Sequence, residues 1–154
     1  MDPVLVLAVV LVLVVLVFDY TNGFHDAANI IASVIASRAM TPVQAVLIVA
    51  VFEFLGPLLG GTAVANTIGT FVVLDGIDRV AALTIILCGL VGAIAWNLIT
   101  WWRGIPSSSS HALVGGLAGA VVVAVGADHV VWGFGELLQG HVTGVTKVLA
   151  ALLL

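Results

Sequence analysis

Asp19-Tyr20-Thr21-Asn22-Gly23-Phe24-His25-Asp26-Ala27-Ala28-Asn29 interrupts an otherwise greasy chain. It follows an unbroken apolar run over residues 4–18 and leads into another, largely apolar, over residues 30–36. Two carboxylates, two asparagines and a histidine thus stand inside what reads as a membrane-crossing helix. An ionisable group in such a place is costly and is read as functional by default. The other polar clusters of the chain read as partners of this one.

Composition sets the solvent. Hydrophobic residues make up 62% of the chain and charged residues 8%, with a mean hydropathy of +1.32. No soluble domain of this length can cover so much apolar surface, so the surroundings are lipid. The expected fold is an all-α polytopic membrane protein, a single membrane domain over residues 1–154. The net charge of −4 comes from few groups, and with no basic patch the chain has no nucleic-acid partner. Cys88 stands alone in an apolar run, which excludes a disulfide framework and suits a packed thiol. Met1-Asp2-Pro3 lacks a positive n-region and no small-residue cleavage site follows Val17, so the first helix is expected to be retained rather than cleaved as a signal.

Spanning a bilayer takes roughly 20 helical residues. The first run, residues 4–36, is too long for one straight span, and a break is expected near Asn22-Gly23. Arg38 and Thr41-Pro42 close it. A second span covers residues 43–59, with Glu53 inside and Gly56-Pro57 as a kink. After Gly60-Gly61, residues 62–74 are too short to cross and read as a half-helix or re-entrant piece, which needs cover from protein or a cavity. A third span covers residues 80–102, its Trp96, Trp101 and Trp102 with Arg103 forming an interfacial anchor. A helix over residues 112–125, an interfacial loop over 128–141 and a last helix from Val142 complete the pattern. The ending Leu152-Leu153-Leu154 has no polar flank and reads as a truncation. Arg38 and Arg103 fall on one side if residues 62–74 do not cross, and Arg79 on the other. The positive-inside rule then places the N-terminus outside. Gly56-x-x-x-Gly60, Gly115-x-x-x-Gly119 and Gly140-x-x-x-Gly144 are expected packing devices.

Asp19, Asn22, Asp26, Asn29, Ser33 and Ser37 recur every three or four residues, so on a helix they share one face. Such a stripe can simply glue helices together, but Asp26, as a buried carboxylate, needs a cation, a proton or a donor. Glu53 is the second acid in the membrane, either a neutral hydrogen-bonded side chain or a carrier of protons or cations. Thr62, Asn66 and Thr70 form a lesser stripe, better read as helix–helix hydrogen bonding. Pro106-Ser107-Ser108-Ser109-Ser110-His111 reads as a helix start, with serine caps and proline in the first turn. A helix start within the membrane offers free N–H groups and a positive dipole end, a ready anion site. Broken helices aimed at a midplane substrate are the pattern of secondary transporters. An oxyanion that still carries a proton can donate it to Asp26 while accepting from the serines, which favours phosphate over sulfate.

Other chemistries fit less well. There is no H-x-x-x-H spacing for zinc. Ser110 and His111 are neighbours that face apart on a helix, and no Gly-x-Ser-x-Gly elbow exists for a hydrolase. No enzymatic activity is expected. The rival readings are a divalent-cation transporter using Asp19, Asp26, Glu53 and the histidines, an intramembrane serine hydrolase, and a non-transporting membrane subunit.

Asn22-Gly23-Phe24-His25-Asp26-Ala27-Ala28-Asn29 resembles the N-G-x-x-D-x-A-N signature of the PiT inorganic phosphate transporters. Pro106 to His111 resembles their second signature, P-x-S-x-[ST]-H before a small-residue helix, and Phe52-Glu53-Phe54-Leu55-Gly56 looks like their glutamate-bearing second helix. The resemblance runs from Asp19 to about Gly119, and the wording looks most like the bacterial low-affinity branch, usually described as proton-coupled and taking up metal–phosphate. It implies a prokaryotic plasma (inner) membrane protein built of two inverted repeats, of which this chain holds one. The missing half would be a second repeat or a homodimer partner. Carried over by position, Asp26 and Asn29 would match the first motif, Glu53 the glutamate, and Ser108, Ser110 and His111 the second. Asp26, Asn29, Ser108, Ser110 and His111, with Ser107 and Ser109 of the same helix start, would bind phosphate. Asp26, Glu53 and Asn22 would couple to H+ or Na+, with no resident cofactor.

Overall fold

The computed structural model describes residues 2–60 and 69–153. Among these the structure is helical: α1 Pro3–Ala36, α2 Pro42–Gly60, α3 Arg79–Arg103, α4 Ser109–Val125, a 3-10 turn Ala127–His129, a single turn α5 Phe134–Leu137, and α6 Gly144–Leu153. Three of these helices, α1 to α3, are long and apolar enough to cross a membrane. Among the described residues, extended pieces pair in an isolated bridge between Val72 and Val130.

Helix α1 is the first departure from expectation. It runs unbroken for 34 residues, about 50 Å at 1.5 Å per residue, and the break foreseen near Asn22-Gly23 is absent. A lone glycine costs a helix only about 1 kcal/mol relative to alanine, and no proline follows Pro3 to interrupt the ladder. Asp2 caps the start, its Oδ1 accepting from the Val4 N–H at 3.0 Å. Helix α2 starts at Pro42 behind a reciprocal cap in which Gln44 Oε1 accepts from both the N–H and the hydroxyl of Thr41. It continues through Pro57 to Gly60. Thr62 and Asn66, and with them most of the expected re-entrant piece, lie outside the described residues.

Helix α3 is capped by Asp78, which accepts from Val80 and Ala81, and is closed by Gly104 at φ 63°. That left-handed residue turns the chain back, with the Ile105 N–H donating to the Thr100 carbonyl at 2.9 Å. Helix α4 begins later than the Pro106 start foreseen. Ser108 is the N-cap, accepting from the His111 N–H, and Ser109 is the first helical residue. Pro106 lies outside the helix, where it feeds extended backbone into the cap.

Contacts set the helix directions. Phe18 of α1 packs with Leu90 and Ala93 of α3, and seven residues further along each helix His25 meets Thr100. Helices α1 and α3 are therefore parallel, which brings Arg38 and Arg103 to the same end. Helix α4 returns antiparallel to α3, because Gly89 lies against Leu117 and Gly116 against Gly89. A methyl group on Gly116 would overlap the Gly89 carbonyl oxygen. The seam is made by these two glycines. Gly115 and Gly119, expected to make it, have nothing within 4 Å of a built Cβ.

Two apolar clusters flank the helices. One joins Phe18, Leu90 and Ala93, with Leu11, Val14, Ala112 and Leu113 against them. The other holds Phe71, Ile85, Val114, Val121, Val130, Val145 and Val148, and ties the segments around α5 and α6 to the far end of the α3–α4 pair. The expected loop over residues 128–141 thus contains two short helical turns, and the last helix begins at Gly144 rather than Val142.

Candidate functional site

The buried face of α1 is Phe18, Thr21 and His25. The polar stripe read from the sequence lies beside this face rather than on it: Asp26 and Asn22 are half-buried, while Asp19, Asn29, Ser33 and Ser37 are exposed. Helix α3 presents Ala93, Asn97 and Thr100 to the same junction, and α4 brings Ser109. Thr21, His25, Asn97, Thr100 and Ser109 are all buried. They form a polar layer where three helices meet, directly against the Phe18–Leu90–Ala93 cluster.

The layer is wired across the helices. The Thr100 hydroxyl donates to the carbonyls of Trp96 and Asn97, so its lone pairs are left to accept from His25 Nε2, 3.2 Å away. His25 Nδ1 is then the ring acceptor for the Asn29 amide at 3.5 Å, and the same amide donates to the Ser107 carbonyl at 3.4 Å. In this pattern Nε2 is the ring donor and Nδ1 the ring acceptor. Asp26 Oδ1 lies 3.7 Å from His25 Nδ1 and accepts from the Ser109 hydroxyl at 3.4 Å.

Ser107 is held from the other side, its hydroxyl accepting from the Trp96 indole N–H at 3.0 Å. Trp96, expected as an interfacial anchor, also supports the serine turn. Two open cavities flank that turn. One, about 580 Å³, is lined by Asn29, Ala32, Ser33, Pro106, Ser107 and Ser108. The other, about 550 Å³, has Trp96, Ser107, Ser108 and His111 over a floor of Gly92, Gly115 and Gly116. His111 Nδ1 is buried without a partner among the described residues.

Asp26, Asn29, Ser107, Ser108, Ser109 and His111 thus meet around the start of α4. Ser110 is half-buried beside them. Glu53 is exposed on α2 and makes no hydrogen bond or ion pair among the described residues. It stands eleven residues past the start of α2, and Asp26 ten before the end of α1, so the two acids sit at similar helical rise from the hairpin. Among the described residues, no three of the His, Cys, Asp and Glu side chains converge as a metal-ligand set does. His25 was expected beside the site but not as a member of the phosphate set, and Asn97 and Thr100 were not foreseen. The signal was available: Asn97 and Thr100 are polar residues three apart in an apolar span.

Parallel membrane-length helices around a buried polar layer, with a carboxylate set against a helix start, define an integral membrane protein. The chain belongs to the phosphate transporter family, whose model matches residues 22–154. It is 49% identical over 130 residues to a probable low-affinity inorganic phosphate transporter of Streptomyces halstedii, covering 83% of this chain and 60% of that one. To the protein of the same description in Mycobacterium tuberculosis H37Rv it is 48% identical over 132 residues, 86% of this chain and 31% of the relative. To the low-affinity inorganic phosphate transporter PitA of Escherichia coli K12 it is 39% identical over 145 residues, 85% of this chain and 29% of the relative. The chain therefore spans between about a third and three-fifths of the relatives it matches. No solved structure matches it.

Proposed function

We propose that this chain forms half of a phosphate:cation symporter, working by alternating access. The reading rests on one observation above all: the Ser109 hydroxyl at the start of α4 donates to the Asp26 carboxylate, so a proton-bearing oxyanion entering there finds an acceptor and donors side by side. Asn29, the four serines Ser107, Ser108, Ser109 and Ser110, and His111 supply the donors, and the positive end of the α4 dipole favours the anion. Asp26 and Glu53, with Asn22 beside them, carry the coupling ion, H+ or Na+, and a divalent metal–phosphate complex is the alternative cargo. The relatives named as low-affinity phosphate transporters support the same substrate.

The second half of the site comes from an inverted repeat or from a second copy of the chain. Arg38 and Arg103 at one end support a reading with that end inside and the N-terminus outside, in the plasma membrane of a prokaryote. Equilibrium binding of radiolabelled phosphate to the chain in lipid nanodiscs tests the reading. Saturable binding that is lost in Asp26→Asn is expected. Divalent-metal binding that needs no phosphate and no phosphate binding at all would replace it with a cation transporter.

A further inference from the structure

Every polar side chain in the buried layer has a partner except one. Asn97 is 0% exposed, yet neither its Oδ1 nor its Nδ2 has a hydrogen-bond partner among the described residues. Burying an amide in this way costs free energy, and a leucine of similar volume would be no worse for the fold. The position is therefore informative. Parallel α1 and α3, matched at His25 and Thr100, put Asn97 level with Asn22. Antiparallel α3 and α4, matched where Gly89 meets Gly116 and Leu117, put it level with Ser108 and Ser109. One turn back along α3 is Ala93 of the apolar cluster. Asn97 is thus the last polar residue of the α3 face before that cluster.

We infer that Asn97 is the floor of the substrate site and a specificity-determining residue that reads the proton on the anion; the inference rests on the phosphate reading above. An amide offers an acceptor and a donor side by side. A protonated tetrahedral oxyanion answers both, its P–OH donating to Oδ1 and a second oxygen accepting from Nδ2. Sulfate accepts from Nδ2 but leaves Oδ1 facing a lone pair. A site built to bond a substrate hydroxyl rejects the analogue that lacks it far better than an apolar pocket does. The substrate reaches Asn97 when the Ser109–Asp26 bond opens, since that bond lies across the junction between α1 and α4.

The test is binding of phosphate, arsenate and sulfate to the full chain in nanodiscs, wild type against Asn97→Leu and Asn97→Ala. Expected is a loss of about tenfold or more in affinity for phosphate and arsenate together, with the weak sulfate binding unchanged. Thermal stability of Asn97→Leu should hold or rise, and Asn97→Ala serves if the leucine variant misfolds. Unchanged phosphate affinity, or an equal loss for all three anions, overturns the role of Asn97 alone. Absence of phosphate binding in the wild type overturns the substrate reading, and this role with it, before any variant is compared.

Discussion

Ser109 and Asp26, 83 residues apart in sequence, are joined by a 3.4 Å hydrogen bond from the hydroxyl to the carboxylate. The donor is completely buried and the acceptor half-buried. The bond is a direct tie between α1 and α4.

If that bond is part of the anion site, its two ends are energetically coupled. Asp26→Asn is expected to lower phosphate affinity by at least about tenfold, the loss of one charge-assisted hydrogen bond. Ser109→Ala should cost less, and the double variant less than the sum of the two. A double-mutant cycle on phosphate affinity reads the coupling, and strict additivity would separate the residues.

The His25–Thr100 contact carries stability. Thr100→Val leaves the His25 Nε2–H without its acceptor in a buried place, at a cost of about 1–3 kcal/mol. Thr100→Ser retains the hydroxyl and should fall near wild type. Thermal unfolding of both variants in the same lipid decides this, and equal midpoints would show that the bond is energetically idle.

Close approach of α3 and α4 depends on Gly116, not on its neighbours. Gly116→Val forces the helices apart and is expected to destabilise by about 1–3 kcal/mol. Gly115→Ala and Gly119→Ala, with open space around their Cβ positions, should be neutral. The three variants compared in one unfolding assay test the register directly.

Trp96→Phe keeps an aromatic ring, though a smaller one, and removes the indole N–H that holds Ser107. Phosphate affinity should drop several-fold, in line with about 1 kcal/mol for one neutral hydrogen bond, with the unfolding midpoint little changed. An unaltered affinity would return Trp96 to the role of a membrane anchor.

The spans were legible because a bilayer counts residues. Apolar runs at 43–59 and 80–102 became α2 and α3 with one-residue shifts at their ends. Gly23 misled because glycine weakens a helix without ending it. The stripe from Asp19 to Ser37 misled by a fraction of a turn: spacing defines a face, but only the neighbouring helices decide that Thr21 and His25, not Asp19 and Asn29, are covered. Gly115-x-x-x-Gly119 satisfied the pattern for close packing, while Gly89 and Gly116, which carry the contact, form no motif in sequence because they lie on different helices. Asp26 and the serine turn could be named from the sequence. The groups beneath them, His25, Thr100 and Asn97, needed the register between α1 and α3.

The glycine seam has a mechanical corollary. With backbone pressed on backbone at Gly89 and Gly116, helices α3 and α4 travel as one lever, whereas a single hydroxyl and an amide fasten the start of α4 and its serine turn to α1. Under a load that pulls α1 from α4, the polar latch is therefore expected to part before the glycine seam does.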